Sequence, residues 1–365
     1  MEIKKDHLNF AVGPVPMEED LMAMGAEPIP YFRTTDFSAL MKENERLMKQ
    51  FVHAEEGART VFLTGSGTCA MEASVIGLFS KSDRLLIVNG GSFGHRFCEI
   101  CDVHEIPYEA IKLSVGESLK AEHLAAYEGK DFTGFLVNMG ETSTGVLYDM
   151  PLIADFCRRN RLSLIVDAIS TFLADPIDMA ALGADVVLTG SQKALAVAPG
   201  VAVVVLSPRA VEKIYHSKPV CYYLDLKAAL VNGERGQTPF TPAVGILIQL
   251  NKRLCAIEKE GFDNALAKTR AIAEDFRRRI VKYPFDLATD SPSNAVTPLT
   301  PKNPALSAYR LFEILKDEFD IIICPNGGDL KDKLFRVGHI GYHTVKDNDI
   351  LFAALDTLVA RGDIF

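Results

Sequence analysis

The segment Ile165-Val-Asp-Ala-Ile-Ser-Thr171 decides the fold, together with a second segment, Val187-Leu-Thr-Gly-Ser-Gln-Lys193. Each begins as a continuous apolar run, which is typical of a buried strand in a parallel sheet, and each continues into polar residues. Lys193 lies 26 residues after Asp167, which leaves room for one crossover helix between parallel strands. Because the carboxyl ends of parallel strands lie at one edge of a sheet, we expect the carboxylate and the amine to share that edge.

Short apolar runs alternate with helical patterns over more than half of the chain. Segments between the runs, such as 68–80 and 150–161, carry apolar residues at helical spacing. Because the runs are continuous rather than alternating, both faces of the sheet are expected to be covered by helices. The sequence therefore predicts an α/β fold with a mainly parallel sheet. Its strands are expected at 60–64, 85–89, 135–138, 164–167, 185–189 and 201–206.

The pattern changes after Thr241. Two long helical patterns follow, and then short strands and two more helices, with prolines marking the turns. A chain of 365 residues fits one large and one smaller domain, or a single extended α/β unit. We expect a large α/β domain over residues 17–245 and a smaller C-terminal α+β domain over residues 246–365, to which residues 1–16 contribute.

Composition and charge exclude several classes of protein. The chain is 48% hydrophobic and 24% charged, as in ordinary globular proteins, and its net charge of −9 argues against a general nucleic-acid surface. The N-terminal residues lack the apolar core of a signal peptide, and no later run approaches a membrane helix. We therefore expect a cytoplasmic location without a membrane partner. The seven cysteines suit buried reduced thiols, and Cys98 and Cys101 lack a second ligand pair, so we expect no metal site.

An acid and a lysine at one sheet edge are the two groups that a pyridoxal phosphate site requires. The Lys193 amine would form a Schiff base with the cofactor aldehyde, and the Asp167 carboxylate would keep the pyridine nitrogen protonated. Taken singly, each residue has an ordinary alternative, because a strand-end aspartate often caps a turn and most lysines are solvated. The pair therefore needs support from neighbouring motifs.

Glycine-rich, aromatic and hydroxyl-bearing motifs follow other predicted strands. Thr64-Gly-Ser-Gly-Thr68 leads into a helix, whose free N–H groups suit a phosphate, although the same turn could be a simple N-cap. It lacks the spacing of a P-loop or a dinucleotide-binding turn. Phe93, in a flexible turn, could stack on a planar cofactor or be an ordinary buried aromatic residue. The hydroxyls of residues 141–145 could reach a cofactor oxygen or cap a turn.

The ordered motifs resemble those of the class V, fold-type I pyridoxal phosphate aminotransferases. Within this class they are similar to the branch of the alanine–glyoxylate, serine–pyruvate and 2-aminoethylphosphonate–pyruvate transaminases. The resemblance spans nearly the whole chain and implies the fold of that class. It is carried by Gly13-Pro14, Gly65-Ser-Gly-Thr68, Glu141-Thr-Ser-Thr-Gly145, Val166-Asp-Ala-Ile-Ser170, Gly190-Ser-Gln-Lys193 and Arg336-Val-Gly338.

The resemblance implies roles for individual cofactor contacts. Lys193 corresponds to the Schiff-base lysine, which also moves the proton during catalysis, and Asp167 corresponds to the partner of the pyridine nitrogen. Phe93 occupies the position that stacks on the cofactor ring. The other implied contacts are Ser66, Gly67, Thr68 and Gln192 at the phosphate, Thr142 near the phenolate oxygen, and Ser170 with Thr171 under the ring.

The resemblance also implies contacts with a second subunit and with substrate. Thr238 and Thr241 resemble the segment that reaches the phosphate in the neighbouring subunit, which implies a homodimer with shared active sites, although Thr241 could simply start a helix. Arg336 resembles the arginine that binds the substrate carboxylate, a task suited to a bidentate donor. Arg33 matches a second basic position near the entrance. Either arginine could instead form an ordinary salt bridge.

The expected activity is amino transfer from a small amino acid or amine to pyruvate or glyoxylate, through a pyridoxamine phosphate intermediate. Two alternatives stay open at this point. One is a pyridoxal phosphate-dependent lyase or cysteine desulfurase, which would need a mobile reactive cysteine, whereas Cys324 follows an apolar run and is expected to be packed. The other is a non-catalytic α/β binding protein. The amino donor stays undetermined, because the motifs combine patterns from two branches of the family.

Overall fold

A seven-stranded sheet forms the centre of the protein. The computed structural model describes residues 7–364, and the sequence expectations for residues 1–6 and residue 365 lie outside this range. The strands, in chain order, are β1 (Leu8–Asn9), β2 (Arg59–Thr64), β3 (Leu85–Asn89), β4 (Tyr108–Lys112), β5 (Gly134–Asn138), β6 (Gly140–Glu141), β7 (Val146–Leu147), β8 (Ser163–Asp167), β9 (Val186–Gly190), β10 (Val201–Leu206), β11 (Phe285–Leu287), β12 (Val296–Pro301), β13 (Ile321–Ile322), β14 (Cys324–Pro325) and β15 (Phe335–Gly338).

Helices connect the strands and cover both faces of the large sheet. Two short 3₁₀ helices, Met24–Ala26 and Gly328–Leu330, accompany them. The α-helices, in chain order, are α1 (Glu19–Ala23), α2 (Thr35–Phe51), α3 (Gly67–Leu78), α4 (Ser92–Val103), α5 (Ala121–Ala125), α6 (Met150–Asn160), α7 (Met179–Leu182), α8 (Pro208–His216), α9 (Leu226–Gly233), α10 (Val244–Glu260), α11 (Phe262–Ile280), α12 (Ala308–Phe319) and α13 (Val345–Arg361).

The large sheet has the strand order β2, β10, β9, β8, β5, β3, β4. The strands from β9 to β4 are parallel, whereas β10 is antiparallel to both of its neighbours. The predicted α/β fold with a mainly parallel sheet is confirmed. Because β5, β8 and β9 run in the same direction, their carboxyl ends lie side by side, and Asn138 pairs in register with Asp167.

Both faces of the large sheet are buried, as its continuous apolar strands require. All six residues of β10 are buried. Val201, Val203 and Val205 belong to one hydrophobic core, which also contains residues of α2, α6 and α10. Ala202 and Leu206, on the opposite face, belong to a second core with residues of α3, α4, α8 and α9. Side chains of a strand alternate between its two faces, so the sheet lies between two layers of helices.

The edge strand β4 was not predicted from the sequence pattern. Tyr108, Glu109 and Ala110 are only partly buried, and Lys112 is exposed. An edge strand has a neighbour on one side only and commonly carries charged residues. A search for continuous apolar runs therefore passes over β4, whereas it detects β2 at the opposite edge because four of its residues are buried.

A second, antiparallel sheet lies in the C-terminal part of the chain, with the order β11, β12, β15, β14. Its residues form a third core with α12, α13 and part of α11, and Phe10 from the N-terminal segment joins this core. By contrast, α10 contributes its buried residues to the first core of the large sheet. The proposed division of the chain between residues 245 and 246 stays a prediction.

The cysteines are free thiols, and those of the CxxC pair are buried. Burial raises the pKa of the Cys101 thiol to about 12 and also raises the pKa of Cys98, so neither holds much thiolate at neutral pH. Among residues 7–364, no group of His, Cys, Asp and Glu is placed to hold a metal ion. Over the same range, no helix has both the length and the apolar character to cross a membrane.

Candidate active site

Asp167 and Lys193 lie at one edge of the large sheet and line one cavity of about 120 Å³. Asp167 is the last residue of β8 and is only 5% exposed. Lys193 lies in the turn three residues after β9 ends at Gly190. The structure therefore brings together the acid and the amine that the sequence pattern places at the same edge.

Most of the other residues predicted to contact a cofactor line the same cavity. Ser170 does not line it, but its hydroxyl accepts a hydrogen bond of 2.8 Å from Thr142 Oγ1, which does. Met71 and Ile169 also line the cavity, although neither was predicted to contact a cofactor. The predicted residues that line it, besides Asp167 and Lys193, are Ser66, Gly67, Thr68, Phe93, Thr142 and Gln192.

The Asp167 carboxylate is held by two hydrogen bonds in a buried position. Asn138 Nδ2 donates to one of its oxygens at 2.5 Å, and the Ile169 backbone N–H donates to the other at 2.8 Å. Burial raises the pKa of Asp167 to about 6, and both hydrogen bonds act against this rise. The charge of Lys193 also lowers this pKa, but less than either hydrogen bond does. The carboxylate therefore suits a closer cationic partner, such as a protonated ring nitrogen.

The Lys193 amine is buried against the N-terminal segment. Its Nζ donates a hydrogen bond of 2.5 Å to the Val12 carbonyl. Burial lowers the pKa of Lys193, while the charges of Cys324 and Asp167 act against this and those of two nearby arginines add to it. A lowered pKa increases the neutral fraction of an amine, which is its nucleophilic form.

The backbone of the N-terminal segment lies close to the Lys193 side chain at Gly13. Gly13 has a φ of +121°, and a Cβ at this position would lie 2.7 Å from Lys193 Cδ. Both the backbone conformation and the close approach therefore require glycine. This is the physical reason for a glycine in the Gly13-Pro14 motif.

The glycine-rich turn begins α3. Ser66 is the N-cap residue, and its side chain makes no capping hydrogen bond. A Cβ on Gly67 would lie 2.4 Å from Ile169 Cδ1, so a larger residue there would require the Ile169 side chain to move. Gln192 Oε1 is buried and has no hydrogen-bond partner among the described residues. Free N–H groups and the positive end of a 12-residue helix make this turn suitable for a phosphate group.

Phe93 lies in the first turn of α4 rather than in a flexible turn. The Glu141 carboxylate caps this helix, because one of its oxygens accepts hydrogen bonds from the N–H groups of Phe93 at 3.2 Å and Gly94 at 2.9 Å. The other oxygen accepts from Ser143 Oγ at 2.5 Å. The expectation of a flexible turn is wrong because a buried carboxylate satisfies the N–H groups of this segment.

Replacing Glu141 with glutamine is expected to lower the free energy of unfolding by about 1–3 kcal/mol, the range for a buried donor left without its acceptor. The new NH₂ group would face either the N–H groups of α4 or the N–H of Ser143, which now donates to Glu141 at 3.1 Å. Urea unfolding of the cofactor-free protein measures the change. The matched control is Glu117→Gln, a partly exposed side chain that accepts from the Ser114 N–H and lies beside His123, and it should move the unfolding midpoint much less. An equally small effect of Glu141→Gln would show that its carboxylate does not hold α4.

Arg336 lies on β15, next to the cavity. Its guanidinium donates hydrogen bonds of 2.8 Å to the carbonyls of Thr142, which lines the cavity, and of Pro325. Arg336 is only 8% exposed, and its Nε has no partner among the described residues. A buried guanidinium whose hydrogen bonds go to carbonyls is suited to a carboxylate as a further partner.

The structure places Arg33, Thr238 and Thr241 away from the cavity. Arg33 donates to the Thr238 carbonyl at 3.0 Å, and Thr238 Oγ1 donates to the Phe240 carbonyl at 2.7 Å. Thr241 is exposed. Within one subunit, Arg33 therefore holds the loop that carries Thr238 rather than contacting the site entrance. The implied role of Thr238 and Thr241 needs a second subunit.

Arg96 is a cavity residue that the sequence reasoning missed. It lies one helical turn after Phe93 on α4, and its guanidinium lies 4.8 Å from the centroid of the Phe93 ring. One of its terminal nitrogens donates to Thr68 Oγ1 at 3.3 Å. The i, i+3 spacing of the two residues was visible in the sequence, but the proximity of Thr68 depends on how α3 packs against α4.

Cys324 is partly buried and packs against the first hydrophobic core, as expected. It is the first residue of β14 and pairs with Arg336 of β15. It lies near enough to Lys193 to raise the pKa of that amine. Strand pairing holds Cys324 in place, which differs from the mobile cysteine that a desulfurase requires.

Comparisons with known proteins identify the family. The family described as Aminotransferase class-V matches residues 31–321. The chain is 33% identical to the soluble hydrogenase 42 kDa subunit of Anabaena cylindrica, over 93% of this chain and 89% of that one. It is 30% identical to the alanine–glyoxylate aminotransferase of Oryctolagus cuniculus, over 84% of this chain and 81% of that one.

A solved structure extends this likeness to three dimensions. The aspartate aminotransferase of subgroup IV from Thermus thermophilus has a TM-score of 0.89 and 27% identity, over 98% of this chain and 100% of that one. The resemblance to class V aminotransferases and the predicted transamination are thereby confirmed. Because the family match covers most of the sequence, the chain belongs to the class V aminotransferases, which are pyridoxal phosphate-dependent transaminases.

Proposed function

We propose that the chain binds pyridoxal phosphate in the cavity between Asp167 and Lys193 and transfers the amino group of a small amino acid or amine to pyruvate or glyoxylate. The observation that carries this proposal is that a buried acid, a buried amine and a glycine-rich helix N-terminus surround one cavity. Bound pyridoxal phosphate supplies an electron sink and a carrier for the amino group. The residues that would hold it are Ser66, Gly67, Thr68 and Gln192 at the phosphate, Phe93, Thr142 and Asp167 at the ring, and Lys193 at the aldehyde.

Lys193 is the proposed covalent anchor and base. Its Nζ now donates a hydrogen bond to the Val12 carbonyl. This hydrogen bond would be given up for the covalent link between Nζ and the cofactor aldehyde. As a base, the same nitrogen would remove the proton at the substrate α-carbon and later return it. The lowered pKa of Lys193 favours this role, because a base must be neutral to accept a proton.

Replacing Arg336 with glutamine is expected to raise the KM for a 2-oxo acid roughly tenfold to a hundredfold, because hydrogen bonds to charged groups contribute about 1.5–3 kcal/mol. Glutamine keeps a donor for a neighbouring carbonyl but removes the charge and the bidentate geometry. The KM of Arg336→Lys should lie between those of the parent protein and Arg336→Gln, because a lysine keeps the charge without the planar pair of donors. Steady-state kinetics with pyruvate and glyoxylate measure the change.

Two controls accompany the Arg336 variants. Thermal unfolding tests whether the loss of the hydrogen bonds to Thr142 and Pro325 disturbs the fold. Arg361→Gln removes a surface arginine of α13 that pairs with Glu318, and it should leave KM unchanged. A KM for Arg336→Gln within twofold of the parent protein would remove this residue from the substrate site.

We also propose a homodimer in which each subunit contributes Thr238 and Thr241 to the neighbouring site. Support comes from the exposed aromatic surface beside these residues, where Tyr222 is 84% exposed and Tyr223 stacks on Phe240 at 5.3 Å. Exposed aromatic clusters of this kind are typical of protein interfaces. Sedimentation equilibrium tests this, since one chain has a mass of 40.0 kDa. A monomer at working concentration would overturn the shared sites.

The amino donor can be identified with the cofactor itself. A panel of amino acids and amines is offered one at a time to the holoenzyme without an acceptor, and the yellow absorbance of the bound cofactor is followed. A donor should remove this absorbance, and glyoxylate or pyruvate should restore it. Release of ammonia or sulfide without an acceptor would instead indicate a lyase or desulfurase. Failure to take up pyridoxal phosphate would overturn the proposal.

We propose a cytoplasmic location for this activity. The free thiols support it, because reducing compartments keep cysteines in this form. Fractionation of cells that express the full chain tests it, and recovery outside the cytoplasmic fraction would contradict it.

A further inference from the structure

The glycine-rich turn of the candidate active site has a cation beside it. Arg96 lines the cavity together with Ser66, Gly67 and Thr68, and it donates a hydrogen bond of 3.3 Å to the hydroxyl of Thr68. Its guanidinium is held from the other side by the Phe93 ring, at 4.8 Å from the centroid. Two contacts from two different helices therefore fix the position of this charge at the start of α3.

The other cations near the cavity are committed elsewhere. Arg336 donates to the carbonyls of Thr142 and Pro325. Lys193 donates to the Val12 carbonyl and, in the proposed function, becomes covalently bound. The remaining predicted phosphate contacts, the turn and Gln192, are neutral. Among the described residues that line the cavity, Arg96 is therefore the cation left to meet a phosphate dianion at this turn.

We propose that Arg96 is a binding residue for the phosphate group of the cofactor, acting beside the N–H groups of the glycine-rich turn. This inference rests on the proposed function, because it assumes that pyridoxal phosphate occupies this cavity. A guanidinium is well suited to the task, because its planar set of donors matches the oxygens of a phosphate. Thr68 orients the guanidinium toward the turn, and Phe93 keeps it from turning into solvent.

A merely structural role for Arg96 makes a different prediction. If Arg96 served only to hold Phe93 in place, its loss would weaken the binding of any ligand that stacks on that ring. Pyridoxal has the same ring and aldehyde as pyridoxal phosphate but no phosphate group. Comparing the two ligands therefore separates phosphate binding from ring stacking.

The experiment measures the dissociation constants of pyridoxal phosphate and pyridoxal for the cofactor-free full chain, by titration of the absorbance of the bound form. Arg96→Gln is expected to raise the dissociation constant of pyridoxal phosphate roughly tenfold to a hundredfold, which is the range for hydrogen bonds to charged groups. The dissociation constant of pyridoxal should change less than twofold. Arg96→Lys keeps the charge, so it should lose less affinity for pyridoxal phosphate than Arg96→Gln does. His95→Gln, an exposed neighbour on the same helix, is the matched control and should bind both ligands like the parent protein.

Inorganic phosphate gives a second readout that needs no ring. It should compete with pyridoxal phosphate for the parent protein, and much less for Arg96→Gln. The inference is overturned if Arg96→Gln binds pyridoxal phosphate within twofold of the parent, or if both ligands weaken equally. If the parent protein binds neither ligand, the proposed function fails as well, so the two failures are distinguishable. Should Arg96→Gln not fold, Arg96→Lys decides the question: it should bind pyridoxal phosphate more weakly than the parent protein and pyridoxal equally well, and parent-like binding of both ligands would overturn the inference.

Discussion

Replacing Lys193 with alanine is expected to lower the transamination rate at least roughly a thousandfold, because the variant loses both its covalent anchor and its base. The side chain lines a cavity, so its removal should leave the fold intact. Pyridoxal phosphate should still bind through the glycine-rich turn, but borohydride should no longer fix it to the chain. Steady-state rates with the best donor measure the first effect, and the mass of the borohydride-treated protein measures the second.

The control for this variant is Lys81→Ala, which removes an exposed lysine that pairs with Glu105 on the surface. It should keep the parent rate and the borohydride-stable adduct. The adduct of the parent protein should map to the peptide that contains Lys193. A Lys193→Ala protein that transaminates at the parent rate, or an adduct on another lysine, would contradict the assignment.

The sequence predicted the inner sheet well because burial leaves a strong pattern there. The strand predicted at 201–206 is the observed β10, whose six apolar residues are all buried. The same pattern cannot show that β10 is antiparallel to its neighbours, because a strand buried on both faces looks alike in either direction. It also misses β4, whose residues are partly exposed at the edge of the sheet.

The candidate site was predictable where residues follow strands directly, and not where helices or loops bring them together. Asp167 and Lys193 share a cavity because parallel strands end at one edge. By contrast, Glu141 caps α4 from a short hairpin, and Arg96 reaches Thr68 across two helices. Such contacts depend on tertiary packing, which leaves no local periodicity in the sequence.

Replacing Asp167 with asparagine is expected to lower activity and to raise the stability of the cofactor-free protein. Transamination should fall at least roughly a hundredfold, because a neutral amide cannot keep the ring nitrogen protonated. The free energy of unfolding should rise by up to about 3 kcal/mol at neutral pH, since burial raises the pKa of this carboxyl from 3.8 to about 6 and each unit corresponds to about 1.4 kcal/mol. Urea unfolding across a pH series measures the stability.

The pH dependence gives this prediction a definite sign. Between the ordinary pKa of an aspartate and a pH of about 6, the folded protein binds the Asp167 proton more tightly than the unfolded chain does. The contribution of Asp167 to stability therefore falls as the pH rises through this window and stays low above it. Asparagine does not titrate, so the difference between variant and parent should grow from near pH 4 to near pH 6 and then level off.

The neighbouring side chains can accommodate the new amide. Asn138 now donates to Asp167 through Nδ2, while its own Oδ1 is buried without a partner among the described residues. Rotation of the Asn138 amide would present this oxygen to the new NH₂ group, and the Ile169 N–H would keep its acceptor. The flipped Asn138 NH₂ group would then lie where its oxygen now has no partner, so the loss of its hydrogen bond should offset part of the gain from removing the buried charge.

A buried aspartate with a cationic partner provides the matched control. Asp185 is as buried as Asp167, but both of its oxygens accept hydrogen bonds of 2.7 Å from Arg209. Asp185→Asn should therefore destabilise the protein, by about 1–3 kcal/mol, because the new NH₂ group would face a buried donor that now bonds to the carboxylate, either the Leu164 N–H or the Ser207 hydroxyl. Changes of opposite sign in the free energy of unfolding of the two variants would show that the ionised Asp167 carboxylate destabilises the fold. This is expected for a buried charge whose cationic partner is a ligand. A loss of stability in Asp167→Asn that matches Asp185→Asn would mean that its carboxylate serves the fold instead.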